Sequence, residues 1–419
     1  MKKTIFALAA LGTLSGVAHA ESNVTLYGVL DVAIGGVTSQ GNTDPNFPAT
    51  VNPVSANHAT TSVTGMFNGG IQDSRWGLKG AEDLGNGMKA IFTLESGIDL
   101  QSGTLNNAIA GQQNTTSNSA NSSLNGQLFN RQSWVGLTDA KLGTLTFGRS
   151  YSPIYDIVVA YDPVQAAQLF SPLGFSGSYG GGAGVSEDTR LDNNVKYINK
   201  IGDINFGASY KFGGVAGNTT AGTVYTFSLG YEHGPLGVQA TYLGAVDSIK
   251  TGGAAANTAT ATAYNNSGYM IAAKYKLNDV ANIKAGYEHY TLSAASDLIS
   301  TSTMPSVYGV ATSSASSYTG SDQNVNIYFV GGDYNVTPAL NVAAGYYVIN
   351  LNGYDTKTGV TNTFVSLLAD YSLSKRTDVY AGAMFGAYSD TTTTTSINYN
   401  AAGTNSTNAV YAVGIRHKF

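Results

Sequence analysis

Apolar and polar residues alternate along most of the chain. The alternation is clearest in five segments, 88–99, 204–212, 225–232, 365–373 and 411–416. Successive side chains on a β-strand point to opposite faces, so a period of two predicts strands with one apolar and one polar face. The recurrence of this pattern from one end of the chain to the other predicts an all-β fold.

The segments between the predicted strands fall into two length classes. Seven short turns are predicted at 83–87, 139–143, 199–203, 233–237, 277–282, 336–339 and 374–377. Eight long polar stretches alternate with them, at roughly 36–72, 101–127, 151–186, 213–222, 247–266, 293–322, 352–361 and 389–407. These connections give sixteen strands, with all short turns and both chain ends on one side. We therefore predict a sixteen-stranded antiparallel transmembrane β-barrel with short periplasmic turns, long extracellular loops and a water-filled lumen.

Composition favours the barrel over its main alternative, a soluble β-sandwich. Only 11% of the 419 residues are charged, against roughly 25% in a typical soluble protein. A sandwich also has no reason to sort its connections by length. The absence of cysteine excludes disulfides, thiolate metal sites and a cysteine nucleophile. A net charge of −5 argues against a nucleic-acid partner.

The first twenty residues have the pattern of a secretory signal peptide. Lys2 and Lys3 precede an uncharged, mostly apolar run at 4–17, and 18–20 ends in small residues. We expect cleavage after Ala20, which leaves a barrel domain at 21–419 with 19 basic and 26 acidic residues, a formal charge of −7. No later apolar run is long enough for a transmembrane helix.

Tyrosines near predicted strand ends suggest aromatic girdles at the two membrane interfaces. The candidates are Tyr210, Tyr231, Tyr269, Tyr290, Tyr347 and Tyr388.

Four segments and the last residue resemble the general porins of Gram-negative bacteria, of the Neisseria and Burkholderia type. The segments are 24–31 (VTLYGVLD), 74–90 (SRWGLKGAEDLGNGMKA), 130–137 (NRQSWVGL) and 143–149 (GTLTFGR). The resemblance implies a homotrimer in the outer membrane, in contact with lipid and lipopolysaccharide. It also implies passive diffusion of ions and small hydrophilic solutes through each barrel, and a third loop that folds into the lumen. The terminal aromatic, Phe419, would be the signal read by the barrel assembly machinery.

Charged residues on the predicted strands should face the lumen, because an Arg or Lys facing mid-membrane lipid costs roughly 2–4 kcal/mol. Arg75 and Lys79 share one face of the second strand, opposite Trp76 and Leu78. On the sixth strand, the polar face holds Arg190, Asp192, Asn194 and Lys196, opposite Leu191, Val195 and Tyr197. Arg149 instead shares its phase with Leu145 and Phe147, so a bulge or a strand end is needed there.

The resemblance also implies a pore constriction in which wall arginines face acids of the third loop. By position, Arg75, Arg131 and Arg149 form the basic side, and Lys79 and Arg190 are weaker candidates. Asp156 and Asp162 form the acidic side, although both could be ordinary solvated loop carboxylates.

Enzyme motifs are absent from the sequence. The four histidines after residue 20 show no metal-ligand spacing, and the glycines form no phosphate-binding motif. We therefore expect no catalytic residues, metal or cofactor. A barrel hydrolase and an adhesin acting through its surface loops remain the alternatives.

Overall fold

The computed structural model describes residues 23–40, 60–105, 118–119, 128–173, 190–215, 217–252, 258–303, 306–307, 310–352, 359–388 and 406–419. The predicted signal peptide at 1–20 lies outside these described residues.

The described residues form a barrel of sixteen strands and one helix inside it. The first strands are β1 (Asn23–Gln40), β2 in two segments (Thr60–Asn68 and Arg75–Gly85), β3 (Met88–Gly97), β4 (Gln132–Asp139), β5 (Gly143–Tyr151), β6 (Arg190–Ile201), β7 (Ile204–Lys211) and β8 (Val224–His233). The others are β9 (Leu236–Gly252), β10 (Thr258–Lys276), β11 (Ala281–Ser293), β12 (Gln323–Asn335), β13 (Leu340–Leu351), β14 (Val360–Ser372), β15 (Thr377–Tyr388) and β16 (Ser406–Lys418). Helix α1 spans Pro153–Tyr161, between β5 and β6. Short loop strands lie at Asn118–Ser119, Ser306–Val307 and Val310–Ser317.

Each barrel strand pairs antiparallel with the next, and the last pairs with the first. The closing register runs from Val29 opposite Lys418 to Gln40 opposite Thr407. On its other side, β1 pairs first with the second segment of β2 and then with the first segment. The predicted closed sixteen-stranded barrel is confirmed.

The seven short turns lie where the alternation predicts them, between β2 and β3 and then between every second pair of strands. Two of the predicted loops contain long stretches of barrel strand. Within 36–72, β1 continues to Gln40 and the first segment of β2 spans Thr60–Asn68. Most of 247–266 is strand, because β9 continues to Gly252 and β10 begins at Thr258. Alternating threonine and alanine in 258–263 look polar in sequence, but β-branched threonine favours the extended backbone.

The barrel has an apolar outer face and a more polar inner face. Phe227, Leu229, Ile271, Val330 and Val413 are each about half or more exposed, as expected of side chains that would contact lipid. Tyr210, Tyr231 and Tyr269 are exposed on this outer face, as the girdle prediction requires. The side chain of the sixth candidate, Tyr388, lies outside the described residues. It is wrong for Tyr290 and Tyr347, which are fully buried inside the barrel. No helix of the described residues is long and apolar enough to cross a membrane.

Helix α1 starts the part of the third connection that packs within the barrel. Ser152 caps it, since the Ser152 side chain accepts a hydrogen bond from the Tyr155 N–H, and Pro153 occupies the first turn. Its buried face contains Ile154, Ile157, Val158 and Tyr161. These side chains cluster with inward-facing residues of β8–β13, among them Val224, Leu243, Met270, Ile327 and Tyr347.

The chain after α1 continues along the neighbouring wall, where β13 contributes to both clusters. Val164, Ala167, Leu169 and Phe170 pack against inward-facing residues of β1, β13, β15 and β16. The N–H groups of Gln168 and Leu169 donate to the carbonyls of Ile71 and Gly70, which lie between the two segments of β2. Residues 152–173 therefore occupy part of the barrel interior.

Candidate functional site in the barrel interior

An ion-pair network lines the inner wall formed by β2–β6, with Glu95 of β3 at its centre. Arg131 Nε donates to one Glu95 oxygen at 2.9 Å, and the Tyr27 hydroxyl donates to the other at 2.9 Å. Arg75 Nε lies 3.6 Å from the same carboxylate. The Glu95 side chain is only 4% exposed, so this charge is compensated almost entirely by protein groups.

Arg131 lies just before β4 and bridges three elements. Besides Glu95, its guanidinium contacts Asp73 Oδ2 at 2.9 Å and donates to the Tyr151 hydroxyl at 2.7 Å. The residue is 5% exposed. The planar fork of arginine suits this multiple bridging. Arg131 therefore holds the wall together and presents little free charge to the lumen.

Arg149 points into the barrel because a β-bulge changes the phase of the strand pairing beside it. Such a bulge is expected, because Arg149 alternates in phase with the apolar Leu145 and Phe147. The β5–β6 register shifts between Gly148 and Ser150, and Gly148 has a φ of 131°, which an L side chain rarely adopts. Arg149 Nε donates to the Asn130 carbonyl at 2.7 Å, and its guanidinium pairs with Asp192 of β6. The bulge also changes the phase of β6. Leu191, predicted on the outer face, is fully buried in the cluster around α1.

Arg190 and Lys79 are the weaker basic candidates, and both lie over tyrosine rings of the same wall. The Arg190 guanidinium carbon is 5.3 Å from the centre of the Tyr151 ring, and Lys79 Nζ is 5.1 Å from that of Tyr27. Lys79 lies directly opposite Thr25 of β1 in the β1–β2 pairing, and both residues are on the inner face. These cation–π contacts hold both charges at the inner surface.

Asp156, in the first turn of α1, reaches the basic wall. Its half-exposed carboxylate pairs with Lys196 Nζ of β6, which also donates to the Tyr151 carbonyl at 3.0 Å. The Tyr155 and Tyr151 rings stack with centroids 5.2 Å apart. Burial and the neighbouring Tyr151 raise the pKa of Tyr155 to about 12, so it stays neutral at physiological pH.

Asp162 does not meet the arginines. It ends α1, is fully buried, and accepts hydrogen bonds from the Tyr347 hydroxyl at 2.7 Å and the Ala166 N–H at 2.6 Å. Lys284 Nζ donates to the Asp162 carbonyl at 3.1 Å. Burial raises the pKa of the Asp162 carboxyl, and these hydrogen bonds oppose that rise. Its position makes it an anchor of the third connection to β11 and β13.

The network therefore contains more members than the sequence motifs indicated. Six basic side chains (Arg75, Lys79, Arg131, Arg149, Arg190 and Lys196) gather with four acidic ones (Asp73, Glu95, Asp156 and Asp192). The formal excess is two positive charges. The contact between Glu95 and Arg75 could have been predicted from the short turn at 83–87. A hairpin with that turn fixes the β2–β3 register, which places Glu95 opposite Gly77, two residues from Arg75.

The sequence of the chain matches a known family over most of its length. The sequence profile of the Gram-negative porin family matches residues 7–391. The chain belongs to the Gram-negative porin family.

Relatives of this porin are outer-membrane proteins. An outer membrane porin protein of Bordetella pertussis is 30% identical, with the alignment covering all of both chains. Outer membrane porin protein 32 of Delftia acidovorans is 29% identical over 56% of this chain and 58% of that protein. The protein is thus an outer-membrane channel of the porin type.

Solved structures share the fold. An anion-selective porin from Comamonas acidovorans superimposes with a TM-score of 0.65 at 22% identity, covering 95% of this chain and 100% of that chain. An outer membrane protein of Vibrio cholerae, OmpT, gives a TM-score of 0.59 at 17% identity, covering 96% and 100%.

Proposed function

We propose that solutes pass this porin through a constriction bounded by α1 and the ion-paired wall of β2–β6. The observation that carries the proposal is the burial of residues 152–173 inside the barrel, with Asp156 of α1 paired to Lys196 of the wall. The unoccupied cross-section then has basic groups and carboxylates at close range. Such charges act on a passing ion more strongly than charges farther away, which salt screens within about 8 Å at physiological ionic strength.

The constriction proposal covers Arg75, Lys79, Arg190 and Asp156 as groups that influence permeation. Arg149 is 7% exposed and paired with Asp192, so it acts chiefly within the wall. Arg131 acts chiefly by holding Glu95 and Asp73 in place. Asp162 anchors the third connection and does not line the passage.

The formal excess of two positive charges supports a weak preference for anions at moderate salt. The whole barrel domain carries −7, so the preference should shift towards cations when salt is dilute and distant charges are less screened. The porin from Comamonas acidovorans that shares this fold is described as anion-selective.

We also propose that the protein acts as a homotrimer and is not an enzyme. One solved structure of OmpT from Vibrio cholerae, which shares this fold, is described as a trimer form. The apolar outer face suits both lipid and a neighbouring barrel. The barrel assembly machinery is proposed as a further partner, with the terminal aromatic Phe419 as its signal. In the folded barrel, the Phe419 N–H and carbonyl exchange hydrogen bonds with Gly28 at 3.1 and 3.0 Å and close the seam.

Planar-bilayer recording with the purified protein tests this function. We expect stepwise current increases, in groups of three for a trimer, and a zero-current potential in a potassium chloride gradient that indicates weak anion preference. Folded protein that inserts without conducting would overturn the channel. Esterase activity of the same preparation would favour a barrel hydrolase.

A further inference from the structure

The connection at 152–173 closes a ring with the basic wall. It leaves the wall after Tyr151, the last residue of β5. It returns to the wall where the Gln168 N–H donates to the Ile71 carbonyl at 3.1 Å, shortly before Arg75 of β2. The passage proposed above is therefore bounded by the wall charges on one side and by this connection on the other.

The side of α1 that faces the lumen carries an apolar strip. The buried face of α1 packs against β8–β13, so the exposed residues of this helix face the lumen. Val159 is 42% exposed, and the neighbouring Ala160 is also exposed. Tyr155, which is partly exposed, lies one turn before Val159 on the same side, because residues four apart on a helix are neighbours. Between 152 and 173, all of which the structure describes, Val159 is the only large apolar side chain left exposed.

Neither helix formation nor contact with water favours valine at this position. Valine is a poorer helix former than alanine, glutamate or lysine, and its apolar surface gains free energy only when an apolar group covers it. The strip also begins beside a cation. The Tyr155 ring stacks on the Tyr151 ring, and the Arg190 guanidinium carbon lies 5.3 Å from the centre of the Tyr151 ring. Positive charge and apolar surface therefore lie next to each other along α1.

We propose that this passage favours organic monoanions with an apolar body, with the carboxylate towards the wall at Arg75 and Arg190 and the body on Tyr155 and Val159. The inference rests on the constriction proposed above and names the class of solute that the constriction favours. The formal excess of two positive charges in the wall network attracts a carboxylate. Covering the strip adds a favourable contribution that chloride cannot gain. Both contributions are weak enough to let the solute leave again, as passage through a channel requires.

Zero-current potentials across planar bilayers test the proposal, with potassium benzoate or potassium nicotinate on one side and potassium chloride on the other. At neutral pH both probes are monoanions of nearly the same size, but the ring nitrogen of nicotinate is hydrated. We expect the wild type to be about two- to five-fold more permeable to benzoate than to nicotinate. Val159→Thr keeps the branched shape and places a hydroxyl group in the strip, so this ratio should fall about two-fold or more.

Two further variants serve as controls. Val336→Thr makes the same change at a valine that is 49% exposed in a short turn, and it should keep the wild-type ratio. Arg75→Gln should lower the permeability of both anions relative to potassium and leave the ratio between them unchanged, because it alters charge and not apolar surface. Heat-modifiable gel mobility identifies folded barrels. If Val159→Thr does not fold, Val159→Ala also shortens the strip and should lower the ratio.

Two results would overturn the proposal. Equal permeability of the wild type to benzoate and nicotinate would show that the apolar body is not recognised. An unchanged ratio in folded Val159→Thr would show that α1 does not provide the apolar contact. Chloride current distinguishes these failures from failure of the channel, since wild type and Val159→Thr should carry equal chloride currents. A folded wild type that carries no chloride current would overturn the proposed function and this inference with it.

Discussion

Replacing Arg75 by glutamine should reduce the preference of the channel for anions. The substitution removes one positive charge from the inner wall and lowers the formal excess of the network from two to one. It should leave the barrel intact, because Glu95 keeps its two closest donors, Arg131 and Tyr27, each at 2.9 Å. Arg75 is the more distant partner, at 3.6 Å.

The size of the effect follows from Coulomb's law. A unit charge about 8 Å from a passing ion contributes about 0.5 kcal/mol in water, and screening at physiological salt reduces this to about 0.2 kcal/mol. Anions and cations are affected with opposite sign, so the difference between them doubles. The permeability ratio of anion to cation should therefore fall about two- to five-fold.

Zero-current potentials in planar bilayers, measured across a potassium chloride gradient, give this ratio. The control is Arg376→Gln, the same charge change in an exposed short turn, which should have little effect at moderate salt. Asp156→Asn should move the potential in the opposite direction. If Arg75→Gln matches wild type at every salt concentration, Arg75 does not influence the permeation path.

Three further predictions concern stability and assembly. Arg131→Gln leaves the carboxylates of Asp73 and Glu95 without their main partner, so it should lower the free energy of unfolding by about 3–5 kcal/mol. The denaturation temperature in detergent should then fall far more than for Arg376→Gln. Equal denaturation temperatures for the two variants would contradict the ion-pair network. Burial raises the pKa of Asp162 in the folded protein, so the wild type should lose stability relative to Asp162→Asn as pH rises from the ordinary carboxyl pKa through the raised one. A stability difference that stays constant with pH would show that this carboxyl is not buried. Phe419→Ala should lower the amount of folded barrel in outer-membrane fractions, whereas Tyr371→Ala, at another exposed aromatic, should not. If both variants lower the amount of folded barrel equally, Phe419 has no role in assembly beyond that of any aromatic residue in the girdle.

The strand count could be predicted from the sequence because it depends on local rules. Alternation fixes which residues share a face, and turn length fixes which connections lie at the same end. Both rules need only neighbouring residues, so they placed the seven turns correctly. They failed at 258–263, where threonine and alanine look like loop residues but extend β10.

The long-range contacts needed the tertiary structure. Tyr290 and Tyr347 are ordinary strand-end tyrosines in sequence, yet both pack in the cluster that surrounds α1, because the third connection fills that side of the barrel. Gly28 is similarly uninformative in sequence. An added Cβ there would lie 2.4 Å from the Phe419 ring, which covers this position where β16 meets β1.

The site shows the same division. Arg75, Lys79 and Asp156 could be assigned to the inner side from phase and resemblance. The partners of the wall arginines could not, since Asp73, Glu95 and Asp192 come from three separate parts of the chain that only barrel closure and the β5–β6 bulge bring to Arg131 and Arg149. Sequence determines which charges face inwards, whereas their pairing, and hence how much charge the lumen presents, depends on distances that only the folded barrel sets.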